Sequence, residues 1–503
     1  MAETDISVTS PIDEIDVNTE TDEEEIARKI ESDIQGSISY WQELKERYTQ
    51  YYFDFLAYRE DANDSTKSNT FIPLPYIALL IVKAAIKRAI LATHPYGRII
   101  PEPFDPDLSW RLSLFYDSLL EDARYRTFVD IACQDCLIYG NAVYQVTWEQ
   151  TYKQQPQFEL DEYLKTVPAF DENEERIWAE ELIRDGVCLT NIHIQDFYLP
   201  PKVISAESAP WNAIVYRKGY SELKEMQAAY NLDLLKELRS SQRKDTNETQ
   251  RYEAAQHKPT GEPSPGEPYE IYQYVTDKWI FHKPAGASFL IKKDRNPYKQ
   301  KPFHIAQIIP LNSEPYGLSP MAEGHLMAHT INEIMDVILD QLYIEDNKFF
   351  IVNKDKVNDF ELRSRQGNVA HIEGLEPGDN VRNHVWAVET RAIAAEIMPL
   401  LQFLHQIHQK VSGGVDTLAG VPAQGAETAF ENSLISQGAL ARVPDYLDGL
   451  EDSLGQPLFS DIGHLLKLYM NEPKKIQKFG DSGAVSEMDI FPQEVYSKFK
   501  IKL

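Results

Sequence analysis

The sequence predicts an α+β protein, mainly helical, in which a small β-rich part is set between helical parts. Apolar residues recur at helical spacing over long stretches on both sides of the middle of the chain. Residues 187–310 instead carry short β-branched and aromatic runs punctuated by Pro, Gly and Asp. The length of 503 residues exceeds what one hydrophobic core sustains, so two to four structural regions are expected, and an apolar share of 43% is ample to fill them.

Residues 1–25 hold no Lys or Arg and little that packs, which predicts an acidic disordered tail. From Ile26 to Trp148 the pattern is mainly helical. Tyr40, Trp41, Leu44, Tyr48, Tyr51, Tyr52 and Phe55 fall at helical spacings, and Ile77 to Leu91 forms a second apolar helix. Pro95 to Pro106 reads as a connector, and Trp110 to Tyr139 as one further helix ending at Gly140, a residue suited to a helix C-terminus. Strands are expected at VCLTNIHI, NAIVYRK, YEIYQYV, KWIFHK and SFLIKK, with residues 240–268 as a polar Pro/Gly-rich excursion between them.

Tyr316-Gly317-Leu318-Ser319-Pro320 opens a long helix to about Asp346, followed by a compact mixed stretch, Lys348 to Val388. A returning helix, about Ala392 to Val411, holds Pro399, which requires either a start near it or a kink. The Gly-rich loop Ser412 to Gly425 then leads into a helical run from Ala426 to Asn471, bent or restarted at Pro444 and Pro457. In the first of the paired helices Met327, Ile331, Ile334, Ile338 and Leu342 form an apolar stripe, with His329, Glu333, Asp336 and Asp340 opposite. In the second, Ile393, Ile397, Leu400, Leu404, Ile407 and Val411 share a face, with Gln402, Gln406 and Gln409 opposite.

Charge and motif narrow the chemistry. A net charge of −29 argues against tight, sequence-reading DNA binding, because neutralising phosphates with Lys and Arg supplies most of that affinity; it permits DNA as a cargo that must not stick. No Gly-Lys dipeptide occurs, which excludes a Walker A nucleotide motor in this chain, and the G-x-S-x-G, H-E-x-x-H and G-x-G-x-x-G patterns are missing as well. No enzyme activity and no cofactor are therefore expected. Cys133 and Cys136 have the spacing of half a zinc site without a second pair, so they read as helix packing. His325 and His329, one turn apart with Glu333 a turn further, read as a solvated helix side, and no metal site is expected. The aromatic cluster Tyr48, Tyr51, Tyr52 and Phe53 lacks an interleaved basic groove and reads as core or interface packing. Three cysteines are too few for a disulfide framework and fit a reducing compartment, and the most apolar stretch, Phe71 to Thr93, is broken by Pro73, Pro75, Lys83, Lys87 and Arg88, so neither membrane anchor nor signal peptide is expected.

The order of long helix, small β-containing excursion, returning helix, Gly-rich loop and interrupted helix resembles the portal proteins (head-to-tail connectors) of tailed bacteriophages. The phrases SNTFIPLPY, DCLIYGNAVYQVTW, IHIQDFYLP and PLNSEPYGLSPMAEGHLMAHTINEIMDVILDQ are similar to segments of the larger portal families, and the likeness spans about residues 37–472. It implies a portal architecture: wing at 26–310, first stem helix at 311–347, a small α/β clip at 348–390, second stem helix at 391–411, tunnel loop at 412–425, wing helix at 426–472 and a C-terminal segment, 473–503, with the family's helical crown absent or truncated. It implies further a homo-oligomeric ring of about twelve copies around a channel for double-stranded DNA. Assembly would take place in the host cytoplasm and the ring would sit at the portal vertex of the virion capsid, with no membrane. The expected partners are the terminase large subunit, the major capsid and scaffolding proteins and the head-completion or tail adaptors. On that reading Gln402, Gln406, Gln409, Gly413, Gly414, Val415, Asp416, Thr417 and Leu418 meet the channel, and Asp355, Lys356, Asp359, Glu361, Arg363 and Arg365 of the clip dock the terminase. The rival reading is another ring-forming head–tail adaptor or an assembly scaffold.

Overall fold

The computed structural model describes residues 20–56, 68, 71–156, 158–160, 166–168, 178–226, 229–235, 268–346, 350–352, 380, 385–387, 394–412, 442–479, 485–496 and 498–502. Helix and strand are mixed, and the elements run in chain order as follows. Helices α1 (Glu20–Phe55) and α2 (Leu74–Ile90) precede strand β1 (Arg98–Glu102), then come α3 (Pro106–Asp122) and α4 (Tyr125–Tyr139). Strands β2 (Asn141–Pro156), β3 (Phe158–Leu160), β4 (Thr166–Pro168), β5 (Trp178–Ile192), β6 (Phe197–Tyr198) and β7 (Asn212–Lys218) follow. A short α5 (Tyr220–Glu225) leads to β8 (Tyr269–Val275), β9 (Trp279–Pro284), β10 (Lys292–Arg295) and β11 (Phe303–Gln307). The helix pair α6 (Pro320–Asp346) and α7 (Ala394–Ser412) encloses β12 (Phe350–Val352) and β13 (Val385–Ala387). The chain closes with α8 (Arg442–Leu450), a π-helical turn (Glu451–Gly455), α9 (Gln456–Tyr469), β14 (Lys474–Phe479), β15 (Val485–Ile490), α10 (Pro492–Val495) and β16 (Lys498–Lys502).

Two sheets organise the first two thirds. The three-stranded sheet β11-β2-β5 is antiparallel throughout and carries the main core on α2, α3, α4 and α9. Its middle strand β2 alternates, so that Tyr144, Val146 and Trp148 are all buried on one face. The second sheet, β10-β9-β8-β7-β6, packs its aromatic face onto the start of α1. There Ile26, Ile30 and Ile34, spaced by four, are fully buried against Trp211, Tyr274, Phe281 and Leu290. The buried Lys283 ammonium of β9 pairs with Glu31 on the same helix.

Helix α1 runs 36 residues, about 54 Å at 1.5 Å per residue, and works as a strap. Beyond the second sheet its Lys45 donates to the carbonyls of Gln195 (2.8 Å) and Phe197 (3.1 Å), and Trp41 donates to that of Leu199 (3.2 Å). Burial pulls the Lys45 amine down to about 7, and the negative charge of Asp196 opposes that shift.

Several expectations need correction. The disordered tail cannot extend to residue 25, because α1 begins at Glu20; Glu23, Glu24 and Glu25 sit near its start, and Glu24 pairs with Arg28 at 3.1 Å. The helix expected from Trp110 to Tyr139 is two helices, broken where Arg124 takes φ 57°. The first starts at Pro106 because the Asp105 side chain accepts from the amides of Asp107 and Leu108. The connector 95–106 holds β1, which pairs with β16 from the chain's end, a long-range partner no local pattern reveals. Residues 141–148, read as part of a helical stretch, are the start of β2. SFLIKK yields a strand only from Lys292. Pro399 lies inside α7 rather than at its start, near enough to the N-terminus that its missing N–H costs one intrahelical bond. As the prolines predict, α9 restarts at Pro457 after the π-helical turn. The excursion 240–267 lies outside the described residues, as do 1–19.

Candidate functional site

Of the features singled out for function, those within the described residues lie on the α6–α7 pair and its root. The root joins two Tyr-Gly steps far apart in sequence. Gly140 ends α4 at φ 83°, and a Cβ there would lie 2.4 Å from the Leu318 carbonyl carbon. Gly317 is as tightly held, since a Cβ on it would meet the Ile309 carbonyl oxygen at 2.5 Å. Only glycine permits both the left-handed turn and this approach of backbones.

Between them Asn141, fully buried, satisfies groups that would otherwise be orphaned. Its Oδ1 accepts from the Gly317 amide (2.6 Å), and its Nδ2 donates toward the Gly317 carbonyl (3.2 Å), the Tyr139 carbonyl (3.1 Å) and the Tyr48 hydroxyl (3.0 Å). Ser319 Oγ donates to the Leu137 carbonyl (2.8 Å), and Pro320, tolerated in a first helical turn, opens α6. Tyr316 sets its ring edge-on to Trp41 (5.1 Å) and Tyr48 (6.4 Å) of α1. The direction in which α6 leaves the body is thereby fixed by α1, α4 and β2 together. Tyr48 is core packing, as its cluster predicts. So are Cys133 and Cys136: burial pushes the Cys133 thiol up to about 12 and the Cys136 thiol well above its ordinary value.

Along the pair, Ala328 and Ile331 of α6 pack with Leu74, Ile72, Leu401 and Leu404. Asn332, buried, accepts from the Ile72 amide (2.9 Å), and Asp340 accepts from the Ser68 amide (2.6 Å). Part of the side read as an acidic strip thus serves contacts within the chain. His408 of α7 is buried, and burial followed by the neighbouring His405 pulls its imidazole down to about 4, so it is neutral near pH 7.

The inward face of α7 only partly coincides with its apolar stripe. Leu401, Leu404 and His408 lie inward, whereas Leu400, read as part of the apolar stripe, and Phe403 beside it are 49% and 57% exposed. Helix α6 likewise exposes Leu326 (72%), Val337 and Tyr343, and Leu342 of its stripe. Exposed apolar side chains therefore remain on both helices of the pair.

Gln402 and Gln406 are exposed on the far side of α7, and Gln409 Nε2 lies 3.2 Å from His405 Nε2. Strands β12 and β13 pair antiparallel, Phe350 opposite Ala387, beyond α6. The clip candidates Asp355, Lys356, Asp359, Glu361, Arg363 and Arg365 lie outside the described residues, as do Gly413, Gly414, Val415, Asp416, Thr417 and Leu418 of the tunnel loop. Glu333 is exposed and does not join His325 and His329, whose rings face Asp54 of α1 instead. Sequence reasoning missed Asn141 and Asp54; the repeated Tyr-Gly step marks the first, and nothing local marks the second.

The sequence pattern of the family described as Phage SU10 portal protein matches residues 117–477. No curated protein matches the chain. The matched span begins in α3, takes in both Tyr-Gly steps of the root and the whole helix pair, and ends within β14. Because that span is well over half of the 503 residues and contains the whole α6–α7 pair, the chain belongs to the SU10 family of phage portal proteins.

Proposed function

We propose that this chain is the subunit of a ring at one vertex of a phage capsid, with α6 and α7 as its stem, through which double-stranded DNA is packaged and later ejected. Its family is structural rather than enzymatic. The observation that carries the proposal is that both helices of the pair keep exposed apolar side chains, among them Leu326, Tyr343, Leu400 and Phe403. Two helices standing side by side cannot cover one another on all faces, and a closed ring buries the remainder against identical neighbours.

The uncharged Gln402 and Gln406 side of α7 suits a channel wall. The two amides offer phosphates hydrogen bonds without charge, in keeping with a net charge of −29. On the same reading the loop 412–425, with Asp416 as its acidic member, reaches toward the DNA. The segment 348–390 docks the terminase through Asp355, Lys356, Asp359, Glu361, Arg363 and Arg365. The capsid, scaffolding and head-completion proteins contact the remaining faces, and about twelve copies close the ring.

The test is a pair of substitutions, Leu326→Glu and Phe403→Glu, made together in the full-length protein. Both side chains are exposed within the chain, so the helical circular dichroism should persist while native mass spectrometry finds the assembled mass replaced by monomer. An unchanged assembled mass in the double variant would remove the helix pair from the interface.

A further inference from the structure

The last turn of α1 brings Asp54 between His325 and His329, 271 and 275 residues further along the chain. Asp54 Oδ1 lies 2.9 Å from His329 Nε2, Asp54 Oδ2 contacts His325 Nδ1, and the two imidazole rings cross at 75° with centroids 4.7 Å apart. One ligand atom from each residue lies within 4.8 Å of the others. We propose that Asp54, His325 and His329 form a binding site for a divalent transition-metal ion of the zinc type, which clasps the end of α1 to the first turns of α6.

The donor set suits such an ion. Two imidazole nitrogens and one carboxylate oxygen are ligands that zinc accepts, and tetrahedral bonds of about 2.0–2.2 Å place ligand atoms roughly 3.3–3.6 Å apart, within the spread seen here. Three protein ligands leave a fourth position for water, and the geometry offers one. Asp54 is 5% exposed, whereas the His329 side chain is 39% exposed and faces solvent. Tyr51 presents its ring at 74° to that of His325 (5.4 Å), and Phe55, Pro75, Leu79 and Ile138 line a cleft beside it. That apolar wall restricts solvent to the His329 side.

Charge permits the ion. A buried carboxylate needs a compensating positive charge, and a dication supplies it while the two imidazole nitrogens complete the donor set. The site lies one turn beyond the Asn141 root, so an occupied clasp gives α6 a second attachment to the body, independent of whether rings form.

The experiment uses the full-length protein stripped with a chelator, then titrated with zinc chloride by calorimetry and followed by thermal unfolding. A cobalt(II) titration is read by visible absorption. The expected result is about one ion per chain, a rise in Tm with free zinc, and the absorption of a four-coordinate cobalt site. His329→Ala and Asp54→Asn should each weaken binding by roughly tenfold or more, while His405→Ala, on α7, leaves it unchanged. His329 is partly exposed, so its variant folds even if Asp54→Asn does not. Zinc uptake and Tm shift equal in the parent and His329→Ala, or no uptake by the parent, would overturn the proposal and leave an ion-paired trio only.

Discussion

Replacing Asn141 by Ala removes the group that holds the root of α6 together, and the consequence follows from the hydrogen bonds it breaks. The Gly317 amide, now 2.6 Å from Asn141 Oδ1, and the Gly317 carbonyl would both lose this partner. Gly140 and Gly317 are so tightly faced by backbone that the vacated space does not close by collapse. Each buried group left unsatisfied costs about 1–3 kcal/mol. Adding the weakened tie to the Tyr48 hydroxyl gives an expected loss of about 3–5 kcal/mol, a large fraction of the 5–15 kcal/mol typical of a folded domain. The assay is chemical denaturation of parent and variant, with hydrogen exchange at the Gly317 amide as the local readout. The midpoint should fall and that amide should exchange faster, while amides of the five-stranded sheet keep their protection. A variant within about 1 kcal/mol of the parent, with Gly317 still protected, would refute the reasoning.

Three further outcomes are expected. His304, between Glu207 (2.9 Å) and Asp461 (2.7 Å), is pulled down by burial but raised to about 9 by those two carboxylates. A raised folded-state value means that its stabilisation is full below about 6.5 and is lost as pH rises through 9. Glu207, held below its ordinary value by His304, contributes above about 4.5 and loses its contribution as pH falls. Denaturation midpoints should therefore decline from pH 7 to 9.5 in the parent, and His304→Gln should flatten that decline. Glu31→Ala strands the buried Lys283 ammonium and should cost about 3 kcal/mol by denaturation, with Glu31→Leu plus Lys283→Met recovering much of it. Virions carrying Asp416→Lys should assemble portal rings normally yet package or retain less DNA; unimpaired packaging would remove Asp416 from the channel.

The helices α2, α6, α7 and α9 and the strands β7, β8 and β9 were legible because their patterns are local: apolar spacing, the Pro at a first turn, Gly140 at a helix end. What escaped the sequence is long-range. Strand β1 exists because β16 pairs with it from the far end of the chain, and β2 lies between two distant partners, β5 and β11. The break at Arg124 carries no Gly or Pro to announce it. In the site, the helix pair and its glutamine side could be read from periodicity, but periodicity aligns residues relative to one another and not to a neighbour. Hence the stripe gives no direction: Leu404 packs with α6 and α2 beside Leu401, which lies outside the stripe, whereas Leu400 of the stripe is exposed. Asp54 was invisible for the same reason, since its partners are more than 270 residues away.

Electron microscopy of the purified full-length chain tests the central claim most directly. The account predicts a closed ring with a central hole, a stem of two helices per subunit, and Leu326, Tyr343, Leu400 and Phe403 buried between neighbouring copies while Gln402 and Gln406 line the hole. Particles that remain monomeric at high concentration, or a ring in which α6 and α7 stand outside every subunit contact, would contradict it.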